Sequence, residues 1–123
     1  MTGPCAVVDP DAASRAEVTR VLAGAGLSGI VEATEVAKLH LEGLPPLCVA
    51  VVAVVNPPGP ALALLSQLRV GAPGCLLLAI DGLDTPDSAA RSFHNGAHDV
   101  LRLPFRAAWI RIDAPRGPEG AAR

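Results

Sequence analysis

Asp9, Asp11 and Asp81 are the side chains most able to do chemistry together, because three carboxylates gathered at one edge of a domain could hold a hard divalent cation through oxygen. Asp11 also stands directly before a helical pattern, where its carboxylate would accept from exposed first-turn amides. On that reading Asp11 is a cap, Asp9 and Asp81 are solvated loop acids, and no metal is expected. His94 and His98, with Asp99, are of ligand type, but they straddle a helix end and a glycine turn without a matching cysteine or third histidine nearby. They read as solvent-facing loop residues. Cys5, Cys48 and Cys75 each fall in or beside an apolar run with no histidine or basic group adjacent in sequence, so they read as buried, inert thiols of a reducing compartment. Gly24, Gly26 and Gly29 spell GxGxxG, yet that motif cradles pyrophosphate only where the glycines leave a strand and open a helix. Here they close a helix and precede a strand. No activated nucleophile emerges, and neither enzymatic activity nor a cofactor is expected.

The elements that must position these groups alternate along the chain. Apolar runs at Cys5 to Val8, Ile30 to Ala33, Cys48 to Val55, Cys75 to Ile80 and Asp99 to Leu103 are predicted strands. The third, CVAVVAVV, is apolar throughout, as suits a central parallel strand covered on both faces. After Asp11, the spacing of Val18, Val21, Leu22 and Ala25 predicts a helix that Gly24 and Gly26 end. Thr34 can cap a second helix carrying Val36, Leu39 and His40, closing before Gly43 and Pro45-Pro46. Leu62, Leu65 and Leu68 give a third its stripe. Thr85-Pro86-Asp87 opens a fourth, with Ala89 and Phe93 on its buried face, and Arg106 to Asp113 allows a last one. Such alternation specifies a doubly wound α/β domain over residues 1–113, with ligands at the carboxyl ends of the strands. Residues 114–123, APRGPEGAAR, read as a disordered tail or the start of a linker.

Composition narrows the function. The 123 residues are half apolar, enough for one core, and carry 10 Lys plus Arg against 12 Asp plus Glu. That charge provides no positive field for nucleic acid, and with Trp109, Phe93 and Phe105 as the sole aromatics there is no base-stacking platform. No long apolar run or basic leader suggests a membrane or export, so a cytoplasmic location is expected.

Three blocks carry a family resemblance. VVDPDAASR (Val7 to Arg15) resembles the first loop of two-component response-regulator receiver domains. The third strand running into Asn56-Pro57-Pro58-Gly59 is similar to that family's β3 and following Pro-Gly loop. NGAHDVLRLPF (Asn95 to Phe105) resembles the signature around its fifth strand. The resemblance covers about residues 5–112 and implies a flavodoxin-like five-stranded parallel sheet in the order 2-1-3-4-5. It also implies a cis bond before Pro104.

A receiver accepts a phosphoryl group on an aspartate ending β3, beside Mg²⁺ held by carboxylates after β1, with a lysine before the β5 proline and a Ser or Thr after β4. The corresponding residues here depart from each requirement. Ala53, or Val54 with a shift of one, stands at the acceptor, and Leu44 to Ile80 contains no Asp or Glu in any register. Pro10 replaces the second β1 carboxylate, and Leu103 replaces the phosphate-binding lysine; the only lysine is Lys38. Asp81 stands at the Ser/Thr position and Val100 at that of the switch aromatic. The resemblance thus implies a pseudo-receiver: Asp9, Asp11 and Asp81 are a vestigial acidic pocket, and the domain is a phosphorylation-independent interaction module in signal transduction or transcriptional control. Its expected contact surface is the side built from the fourth helix, fifth strand and last helix, displaying Arg91, Val100, Arg102, Arg106, Trp109 and Arg111 to a protein partner or second copy. The alternative is a small-molecule sensor whose emptied pocket is lined by Val54, Ala79 and Leu103.

Overall fold

The structure is a computed structural model that describes residues 3–83 and 85–102. Strand β1 (Cys5–Val8) leads into helix α1 (Ala12–Gly24), then β2 (Ile30–Ala33), a 3₁₀ turn (Val36–Lys38), and β3 (Val49–Val54). Helix α2 (Gly59–Gly71), β4 (Leu76–Asp81), α3 (Ser88–His94) and β5 (Asp99–Arg102) follow. The five strands form one parallel sheet in the order β2-β1-β3-β4-β5, the flavodoxin-like order.

Alternation along each strand divides the core between two faces. Cys5, Val7, Val49, Val51, Leu78 and Ile80 pack with Val18 and Leu22 of α1 on one face. Ala6, Val8, Ala50, Val52, Leu77 and Ala79 pack with Leu62, Leu65 and Leu68 of α2 on the other. Every residue of β3 is buried, which is why its sequence shows no polar alternation. Helix α1 is capped by Asp11, whose side chain accepts from the Ala13 amide at 3.0 Å. It ends in a glycine turn: Gly26 takes φ +89°, its amide donates to Ala23 O at 3.0 Å, and that of Leu27 donates to Leu22 O at 3.1 Å. The glycines thus terminate a helix, and no dinucleotide loop is formed.

Two expectations are corrected. The helix predicted from Thr34 is only the 3₁₀ turn, preceded by an extended Glu35 with no side-chain cap. Its apolar positions, Val36, Leu39 and Leu41, do not repeat as a helical stripe, and Pro45-Pro46 leaves too few residues to offset nucleation. The helix expected to open at Thr85 begins at Ser88, and Phe93, expected on its buried face, is 49 % exposed. Ser88 and Ser92 face inward instead, held by hydroxyl bonds to Asp81 and to the Ser88 carbonyl. Strand β3 is one residue shorter at each end than predicted, and β4 is shifted by one residue. The peptide before Pro57 is cis. Leu103, the bond before Pro104, the last helix and the tail lie outside the described residues.

Candidate functional site at the carboxyl edge of the sheet

The carboxyl ends of β1, β3 and β4 are where a doubly wound sheet presents its ligands. Asp9 follows β1 and is 2 % exposed, and Asp81 ends β4 at 5 %, so neither is the solvated loop acid expected from sequence. Their burial reflects partners supplied by the fold. One Asp9 oxygen, Oδ1, accepts from the Asp11 amide at 2.9 Å, a short-range turn that sets Asp11 at the start of α1. Arg15 braces the same corner, donating to the Asp9 carbonyl at 2.7 Å and, through Nε, to Glu32 at 3.2 Å. The second oxygen of Asp9, Oδ2, is buried without a hydrogen-bond partner.

Asp81 is more fully engaged. Its Oδ1 accepts from the Leu83 amide at 3.0 Å, its Oδ2 accepts from the Ser88 hydroxyl at 2.8 Å, and Arg102 Nη2 lies 3.4 Å from that same Oδ2. The carboxylate therefore ties the end of β4 to the start of α3 and the end of β5. Arg102, expected on a free contact surface, is committed to this ion pair at one end while its side chain stays half-exposed.

Between the two acids the edge is hydrocarbon. Ala53 and Val54 are 6 % and 1 % exposed, and Val54 is level with Asp81 in the β3–β4 register. The loop after β4 closes on them: the Gly82 amide donates to Val54 O at 2.9 Å. A Cβ on Gly82 would lie 2.8 Å from Val55 Cγ1 and 3.1 Å from Val54 O, so only glycine permits this approach. Val54 and Ala79, expected to line an emptied pocket, are instead sealed in the core. A cavity of about 360 Å³ does open at this edge, lined by Asn56, Pro58, Gly82, Thr85, Asp87 and Arg91. Asp9 is not among its lining residues.

The donor set does not fit the divalent cation that the fold family implies. Among the described residues, no three His, Cys, Asp or Glu side chains are grouped to hold a metal, so Asp9, Asp11 and Asp81 are not brought together. One orphaned carboxylate oxygen, on Asp9, cannot replace the oxygen-rich shell that Mg²⁺ requires. Asp11 is spent as the helix cap.

The remaining sequence candidates are scattered. His94 and His98 sit at the opposite, amino end of β5, where burial and then the charge of Arg69 hold His98 below its ordinary pKa. All three thiols are free and buried. Burial, then the bond to Cys48, pushes Cys5 up to about 12; burial, with the nearby Cys48, does the same for Cys75. Cys5 in β1 and Cys48, just before β3, are neighbours, their sulfurs 3.6 Å apart. Val100 is half-buried against the α2 face of the core, and Arg91 is exposed. Leu103, Arg106, Trp109 and Arg111 lie outside the described residues. Sequence reasoning missed Ser88 as the partner of Asp81; two serines at helical spacing facing the sheet were the available signal.

No protein-family model and no curated protein matches the chain. Solved structures do. The beryllofluoride-activated receiver domain of DrrB superposes with a TM-score of 0.74 at 21 % identity, over 88 % of this chain and 90 % of that one. Against a crystal structure of the Thermotoga maritima response regulator DrrB, an OmpR/PhoB homologue, the TM-score is 0.72, again at 21 % identity and over 88 % of this chain, which spans only 48 % of that regulator. A Burkholderia pseudomallei protein described as pilus assembly-related matches with a TM-score of 0.69 at 20 % identity, over 87 % of this chain and 82 % of its own. The chain has the fold of response-regulator receiver domains.

Proposed function

We propose that this domain is a pseudo-receiver: a receiver scaffold that acts in signalling by binding protein partners and neither accepts a phosphoryl group nor catalyses a reaction. The observation that carries the reading is the apolar end of β3. Phosphoryl transfer to a receiver needs a carboxylate nucleophile and a cation to neutralise the charge that develops. Here Ala53 and Val54 are buried where the nucleophile would stand, and the Gly82 amide closes over Val54 O. Asp81 stands where a receiver presents a Ser or Thr, and it is tied to Ser88 and Arg102. A carboxylate there offers an incoming phosphate no donor, and the guanidinium beside it is already engaged. With Asp81 committed to Ser88 and Arg102, we assign recognition to the side carrying Arg91, Val100 and the exposed part of Arg102.

The test is a titration of isotope-labelled protein with beryllofluoride and Mg²⁺, a mimic of the phosphorylated state, followed through backbone amide spectra. The expected result is no saturable shift at Asp9, Val54, Asp81 or Gly82. Saturable shifts at those four amides would show a working acceptor site and overturn the reading.

A further inference from the structure

The amino end of the sheet holds an arrangement that the receiver reading does not use. His98 precedes β5, and its backbone amide donates to Leu77 O at 2.7 Å. Its ring Nδ1 accepts from the Leu77 amide at 2.9 Å, standing in for a strand carbonyl. A neutral imidazole has one lone pair and one N–H. Accepting at Nδ1 therefore leaves the proton on Nε2, which meets Nη1 of Arg69 from the last turn of α2. A guanidinium only donates. Arg69 and, through Nε2–H, His98 are therefore both donors at one corner of the molecule.

The turn that brings them together has no alternative residue at its centre. Gly96 takes φ +116°, and a Cβ there would stand 2.9 Å from Arg69 Cβ and 3.3 Å from Leu65 O. Its absence lets the α3–β5 turn close directly on α2. A cavity of about 400 Å³ opens at this junction, with Ser66, Arg69, His94 and His98 on its polar side and Val70 and Phe93 on its apolar side. Those two apolar side chains are 84 % and 49 % exposed. No carboxylate is among the described residues that line it. The Asn95 side-chain oxygen is already taken, accepting from the Ser66 hydroxyl at 3.0 Å.

We propose that this cavity binds a small organic oxyanion, its charged head accepting from Arg69 and His98 Nε2 and its apolar body lying against Phe93 and Val70. An oxyanion can accept from both of these donors in a cavity whose described lining holds no carboxylate, and a charge-assisted pair to guanidinium is the strong kind of hydrogen bond. Carboxylate and phosphoryl groups share this chemistry. The site is independent of the carboxyl edge, so it stands or falls apart from the loss of phosphorylation.

The experiment is an NMR titration of the whole chain with sodium sulfate against sodium chloride at matched ionic strength. It follows the His98 ring and the amides of Leu77 and Gly96. Saturable shifts with sulfate and not chloride are expected, and in Arg69→Gln the affinity should drop by about tenfold or more, the usual effect of losing one charged hydrogen bond. Arg69 is exposed, so the variant should fold; Arg20→Gln, on the far side and paired with Glu17, should bind as wild type. Shifts that are linear and shared with chloride, or unchanged binding in Arg69→Gln, would overturn the site. Benzoate and phenyl phosphate then separate the two head groups. Whichever is preferred should bind more tightly than sulfate and lose that gain in Phe93→Ala; if neither exceeds sulfate, the apolar half of the proposal is wrong.

Discussion

Asp81→Asn isolates the buried carboxylate that the fold has made structural. The substitution keeps size and the Oδ1 acceptor for the Leu83 amide but puts an amide where Oδ2 faces Ser88 and Arg102. The Ser88 hydroxyl can adjust, because it already reaches the Thr85 carbonyl at 2.9 Å and could accept from the new amide while donating there. The Arg102 guanidinium has only donors and cannot. Arg102 is 50 % exposed, so the lost ion pair costs about 1 kcal/mol at most. Changing two charge-assisted bonds to neutral ones costs roughly another 0.5–1 kcal/mol each. Relief of the carboxylate's desolvation offsets part of this, leaving a net loss of about 1–2 kcal/mol. Urea unfolding followed by far-UV circular dichroism should show the midpoint lowered by roughly 0.5–1 M, with the slope unchanged. In an Arg102→Gln background the cost of Asp81→Asn should shrink by up to about 1 kcal/mol. A midpoint equal to or above that of wild type would refute the reasoning, since the carboxylate would then be tolerated rather than held by these partners.

Gly96→Ala should destabilise by about 1–3 kcal/mol, because it adds a Cβ at positive φ and 2.9 Å from Arg69 Cβ; thermal unfolding reads the loss. Millimolar Mg²⁺ should leave the melting temperature of the wild type unchanged in differential scanning fluorimetry, and a saturable rise would mean that Asp9 has cation-binding company after all. Cys5 and Cys75, with thiols held near pKa 12, should resist iodoacetamide in the native state and react promptly in urea; rapid native labelling mapped by mass spectrometry would contradict their burial. His98 has a folded pKa below the ordinary 6.5, so the unfolded chain takes up its proton first. Its contribution to stability is fully present above pH 6.5 and is lost as pH falls through the lower folded value, and His98→Gln should flatten that part of the stability–pH curve.

What was legible in the sequence follows what is local or periodic. The unbroken apolar run of β3 announces a strand buried on both faces. Asp11 before Ala12 announces a helix start, and Gly24 with Gly26 its end, because caps depend on a few adjacent residues. The 3₁₀ turn at Val36 imitates a helix in sequence through a capping threonine and two apolar residues, and the prolines that shorten it act only once the neighbouring strands fix the span. The site was legible mainly as an absence: no acid between Leu44 and Ile80. Where Asp9 and Asp81 would lie was not legible. A buried acid and a loop acid look alike until the partners are known, and those of Asp81 lie seven and twenty-one residues along the chain, at Ser88 and Arg102. Phe93 misled for a related reason, since the inward face of α3 is given to Ser88 and Ser92 rather than to its largest apolar residue. The His98 ring acting as a strand acceptor has no sequence signature at all.

The central claim, that the scaffold has lost aspartyl phosphorylation, is tested most directly by intact-mass spectrometry of the chain after incubation with acetyl phosphate and Mg²⁺, without acid quench. The mass of the unmodified chain is predicted at every time point. A stoichiometric, acid-labile gain of one phosphoryl mass, mapped to Asp9, Asp11 or Asp81, would contradict it.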